Sequence, residues 1–198
     1  DGEQSKISYA TYIKHRLNGF DGDSPRRTPK DLEEYPAFSK RASSSGGVPT
    51  YSRPQCVGPI SVKDLKPLEV DLQNFKDALS ASETTDAFMN AASPGVIAQF
   101  QPNQHYPDHS SYLYALADAM KVEYEGIAEA GLVIQIDSPD LALGRHVLFK
   151  DQSDEEFVAM AELHIEALNH ALQNIPAEQL RLHVCWGNYQ GPHHCDIE

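Results

Sequence analysis

Cysteine is scarce in this chain, with three in 198 residues. An odd number, widely spread, does not read as a disulfide framework. Positive charge is scarce as well. Sixteen Lys and Arg stand against 29 Asp and Glu, giving a net charge of −13 and a pI near 5.0. With no basic patch to neutralise phosphates, nucleic acid and anionic membrane surfaces are not expected as partners. No apolar run approaches the ~20 residues of a membrane span, and no signal-peptide pattern opens the chain. A Gly-rich phosphate turn after the first strand is also missing, so a dinucleotide-binding sheet lacks its usual mark. A reducing cytoplasm is the expected home.

What is present is 40% hydrophobic content, enough for a real core and normally one domain of this length. Residues 8–17, SYATYIKHRL, read as a short helix. Residues 18–54 hold many Gly, Pro and Ser, including SSSGG at 43–47, and read as a long irregular excursion. Regular patterning follows. QCVGPI at 55–60 reads as a strand, and Leu68, Leu72, Phe75 and Leu79 recur at helical spacing. Residues 84–92 read as a second short helix, and GVIAQF at 95–100 as a second strand. Asp108 or Ser110 caps a helix with Leu113, Leu116, Met120, Tyr124 and Ile127 on one side, closed by Gly131. LVIQID at 132–137 is a third strand. Ser153 and Glu156 form a capping box ahead of Phe157, Met160, Ala161, Ile165, Leu168 and Leu172, and Pro176 ends that helix.

The fourth strand lies in LRLHVCWGNYQGP at 180–192. Alternation puts Arg181, His183 and Cys185 on one face and Leu182, Val184 and Trp186 on the other, which would meet covering helices. An imidazole and a thiol two residues apart can reach one zinc ion. A packed thiol beside a hydrogen-bonded imidazole is the plainer alternative.

Strands alternating with helices indicate an α/β fold with a parallel sheet. Polar residues recur where strands end: Gln101 and Asn103, Asp137, His183 and Cys185. That favours a (β/α)₈ barrel, whose chemistry sits at the carboxyl ends, over a doubly wound sheet. A whole barrel needs eight units and ~250 residues, and four strands are legible here. The expectation is a partial TIM-type barrel of about four parallel strands, residues 1–198 forming one incomplete domain. Within it, 1–54 would be an irregular arm and long loop, and 55–198 four β/α units.

Five ordered stretches carry a family resemblance. They are DGEQ at Asp1, SRPQCVGPI at Ser52, SPGVIAQF at Ser93, EAGLVIQIDSPDLAL at Glu129 and HVCWGN at His183. Together the chain resembles the cobalamin-independent methionine synthase family, in its short members made of the catalytic barrel alone. The stretches are similar to the acidic turn after that barrel's second strand and then to its third, fourth, fifth and sixth strands.

The resemblance implies zinc-dependent methyl transfer to homocysteine thiolate from a methyltetrahydrofolate-type donor, giving methionine. It implies His183 and Cys185 as zinc ligands, and Glu3 and Asp137 as carboxylates holding the homocysteine ammonium. The family's remaining ligands, a Glu and a Cys, and the acid that protonates the leaving folate come from its seventh and eighth strands and have no counterpart here. The chain as it stands is therefore expected to be inactive and to associate with itself through open strand edges. Zinc alkyl transfer to another thiol such as coenzyme M is the alternative, as is a non-catalytic α/β assembly module. Taken singly, Glu3 reads as a solvated acid, Asp137 as a turn initiator, His193, His194 and Cys195 as loop residues, and Cys56 as a packed thiol.

Overall fold

The structure, a computed structural model, describes residues 9–25, 28–44, 53–186 and 194–197. Its centre is a parallel sheet in the order β3-β4-β5, made of Phe88–Ala92, Val133–Asp137 and Leu180–His183. Parallel neighbours require long crossovers. Helices α5 (Pro94–Phe100) and α6 (His109–Glu129) connect β3 to β4. A 3₁₀ turn at Pro139–Leu141, α7 (Gly144–Val147) and α8 (Asp154–Leu172) connect β4 to β5. Among the described residues the sheet is open, with β3 and β5 as edges, and its parallel strands with covering helices have the α/β arrangement of a partial (β/α)₈ barrel.

The two long helices form where their caps and periodicity place them. Asp108 accepts from Ser111 N and starts α6, and the backbone turns out of it through Gly131 at φ +81°, a conformation glycine adopts without steric cost. Ser153 and Glu156 exchange both hydrogen bonds of a capping box at the start of α8. Leu113, Leu116, Met120, Tyr124 and Ile127 are all buried. They pack with Ala167, Leu168 and Ala171 of α8 and with Ile134 and Ile136 of β4. Full burial of each large apolar side chain contributes about 1.5–3 kcal/mol.

Three expectations are corrected. GVIAQF is not a strand but most of α5, and the stretch read as a short helix holds strand β3. Ser93 caps α5 and Pro94 follows it at the first helical position, a start signal that outweighs a short apolar run. Gln101 consequently caps a helix end and is not at a strand's carboxyl end. Second, residues 18–54 are not uniformly irregular: β1 (Leu17–Asp21), α2 (Lys30–Glu34) and α3 (Pro36–Ser44) occur there. β1 pairs antiparallel with β2 (Gln55–Val62) in a ribbon of its own, so among the described residues the parallel sheet has three strands. Third, Leu182, Val184 and Trp186, expected to lie beneath helices, are 49%, 39% and 46% exposed.

The ribbon is tied to the core through charge. Helix α1 (Tyr9–Arg16) ends in Arg16, whose guanidinium donates to Glu123 Oε2 of α6 at 2.7 Å and to Asp71 of α4 (Lys66–Ser80) at 2.5 Å. The Tyr12 hydroxyl also donates to Glu123. Burial pushes the Glu123 carboxyl above its ordinary range, while Arg16 pulls it back down. Because the Arg16 and Glu123 side chains are only 8% and 9% exposed, losing one partner strands the other in a medium that solvates it poorly. We expect Arg16→Met to cost about 3–5 kcal/mol in chemical denaturation and Arg16→Met with Glu123→Leu to recover most of it. A loss below about 1 kcal/mol, the range of an exposed pair, would show that water screens this one.

Candidate functional site at the carboxyl edge of the parallel sheet

In-register parallel strands turn opposed residues to the same face. Met89, Ala91, Ile134 and Ile136 face the helices. The other face carries Phe88, Asn90 and Ala92 of β3, Gln135 and Asp137 of β4, and Arg181 and His183 of β5. It is polar and internally paired. Gln135 Nε2 donates to Asn90 Oδ1 at 2.9 Å, and the Arg181 guanidinium lies 4.2 Å from the Phe88 ring centroid. Such a cation–ring contact suits a partly solvated surface.

The row nearest the carboxyl end is Ala92, Asp137 and His183, where Asp137 is the register partner of both neighbours. The sheet thus brings together two of the four residues expected at the site. Its backbone holds them there: Ser93 N donates to the Asp137 carbonyl at 3.0 Å, and Ser138 N to the His183 carbonyl at 2.9 Å. Cys185 follows two residues beyond, past the last paired position, with its carbonyl accepting from Leu143 N at 3.4 Å. Its side chain is half-buried, and His183 is exposed. Glu3 and the DGEQ turn lie outside the described residues.

His183 and Cys185 supply the nitrogen and sulfur donors that zinc favours. Two donors are half of a tetrahedral set, and among the described residues no three His, Cys, Asp or Glu side chains group to hold a metal ion. His194 is engaged elsewhere, 2.6 Å from Glu34 of α2 and edge-on to Tyr35. Cys56 is fully buried in β2, and desolvation raises its thiol pKa, which agrees with its reading as a packed residue.

No protein-family model matches the chain. Curated proteins do. It is 27% identical over 190 residues to a methionine synthase of Saccharolobus solfataricus, covering 96% of this chain and 47% of that one. A methionine synthase of Sulfurisphaera tokodaii is also 27% identical over 190 residues, with 96% and 46% covered. Over almost its whole length the chain is similar to proteins named methionine synthase. It spans about half the length of those relatives. Among solved structures, a B12-independent methionine synthase from Shewanella sp. W3-18-1, in complex with selenomethionine, shares the fold with a TM-score of 0.61. That comparison covers 94% of this chain and 45% of the other at 20% identity. No helix among the described residues is long and apolar enough to cross a membrane.

Sequence reasoning missed the polar residues behind this edge, of which Ser93, Asp140 and His164 are buried and His109 is half-buried. Ser93, Asp140, His109 and His164 form a continuous polar chain. The available signal was His164, which falls between Ala161 and Leu168 on the buried side of α8 yet is not apolar. The differing accessibilities give a direct check on the thiols. Thiolate is the reactive form, and burial suppresses it. In the native protein Cys185 is expected to be alkylated by iodoacetamide well before Cys56, as read by peptide mass spectrometry. Equal rates would mean that β2 opens readily.

Proposed function

We propose that this chain carries part of the site for zinc-dependent methyl transfer to homocysteine thiolate, giving methionine, with a methyltetrahydrofolate-type donor. The observation that carries the reading is the pairing of Asp137 with His183 at the carboxyl edge of the parallel sheet, in a chain related to methionine synthases over 96% of its length.

In this reading each residue has one task. Asp137 offers a carboxylate to the substrate ammonium, a charge-assisted contact, and Glu3 is the second acid by resemblance. His183 and Cys185 are two of the zinc ligands. A zinc ion bound there would lower the pKa of a coordinated substrate thiol and hold it as thiolate, the nucleophilic form. The position of these groups at the strands' carboxyl ends is where barrel enzymes keep their chemistry. A cytoplasmic home agrees with the scarcity of cysteine. Among the described residues β5 pairs with β4 alone, and its Leu182, with Val184 and Trp186 just beyond, is exposed; this supports self-association of the isolated chain, since unpaired strand edges template pairing. A monodisperse monomer in solution scattering would count against that.

In the intact protein we expect about one zinc per chain, lost on His183→Ala or Cys185→Ala when metal content is measured after dialysis. Methionine formation from homocysteine should fall with it. Full zinc retention in both variants would sink the reading. Turnover of coenzyme M in preference to homocysteine would move the substrate class to a thiol lacking an ammonium group.

A further inference from the structure

A buried polar chain begins three residues after Asp137. The Asp140 side chain turns into the protein and is 2% exposed, and both of its oxygens are engaged. Oδ1 accepts from Ser93 Oγ at 2.9 Å, and Oδ2 lies 2.8 Å from His164 Nδ1. With Asp140 as acceptor, His164 Nδ1 carries the proton. His164 is itself 2% exposed, and its Nε2 is 2.9 Å from His109 Nε2, at the start of α6. Phe149 lies edge-on to both imidazoles. Removing an acid from water costs several kcal/mol unless its hydrogen bonds are replaced, and here they are replaced from two elements, the turn before α5 and helix α8.

The same turn is gripped at its backbone. Ser93 holds it twice, with its N–H on the Asp137 carbonyl and its hydroxyl on Asp140. On the other side Ser138 N donates to the His183 carbonyl. The residues Asp137–Asp140 therefore hang between the ends of β3 and β5 and are pinned from behind by α8. There is no slack at the pin. A Cβ on Gly95 would overlap the Asp140 carboxylate and stand 2.5 Å from His164 Nδ1.

We propose that Asp140 and His164 are positioning residues: by pinning this turn they fix where the Asp137 carboxylate stands beside His183, and so set the preference for a thiol that carries an ammonium group. The inference deepens the proposed function and rests on it. A displaced Asp140 drags Ser93, and Ser93 N–H holds the Asp137 backbone carbonyl, so an error at the pin reaches the Asp137 backbone through two hydrogen bonds and shifts the side chain it carries. Neither residue touches substrate in this account.

The test compares L-homocysteine with 4-mercaptobutanoate, which keeps the thiol and the carboxylate and lacks the amine. Binding of each to the zinc-loaded intact protein is measured by calorimetry, with thermal melting alongside. The unaltered protein should favour homocysteine. In His164→Leu and in Asp140→Asn that advantage should shrink by about ten- to a hundredfold, the scale of a charged contact misplaced by about an ångström. Affinity for 4-mercaptobutanoate and zinc content should stay close to those of the unaltered protein. His164→Asn, whose amide nitrogen overlays Nδ1, should keep most of the preference, which a general loss of packing would not allow. If His164→Leu fails to fold, the isosteric Asp140→Asn carries the comparison. An undiminished advantage in the folded variants, even with lowered melting temperatures, overturns the proposal and leaves the function standing. No advantage in the unaltered protein overturns the function, and the proposal with it.

Discussion

A parallel strand cannot return to its neighbour through a tight turn, and this constraint shapes most of the molecule. Each step along the β3-β4-β5 sheet needs a crossover, and the crossovers put α6 and α8 against one face. That face becomes apolar, with Ile134 and Ile136 sealed beneath the helices. Polar residues are then confined to the opposite face and to the carboxyl ends, where chains leave the strands. Asp137 and His183 meet there because β4 and β5 run in the same direction and in register. In an antiparallel pair the two strand ends would lie at opposite edges of the sheet.

The helices were legible because their signals are local and redundant. Cap, periodicity and stop residues agree for both α6 and α8. Strand β4 was legible too, as a short β-branched run between a glycine and a proline. The segment 84–100 was misread because its two halves carry opposite cues. GVIAQF is β-branched and apolar but follows a Ser-Pro start. FMNAA is mixed in polarity, and it forms β3 through pairing with Val133–Asp137, about 45 residues away. Nothing within a short window encodes that partnership. The β1–β2 ribbon escaped notice for the same reason: Leu17 finds Val62 across a long Pro-rich interval.

The site divides along a similar line. Asp137, His183 and Cys185 stand out as polar residues at the ends of apolar strands, and motif order gave them roles. The acid and imidazole behind them did not stand out. Asp140 reads as an ordinary turn residue after proline, and His164 as an interruption in a helix stripe. Their partnership depends on α5 and α8 converging on one point, which is a property of packing and not of spacing. The Arg16–Glu123 pair was hidden in the same way, its members 107 residues apart.

Gly95 carries a consequence for how this sequence can drift. Its place is closed to every side chain as long as Asp140 and His164 occupy the space beside it, so three positions on separate elements share one fixed volume. A lineage that traded the acid or the imidazole for something smaller would release position 95 to vary. One that changed position 95 first would have to give up the pair. The order of permitted changes is thus written into the packing.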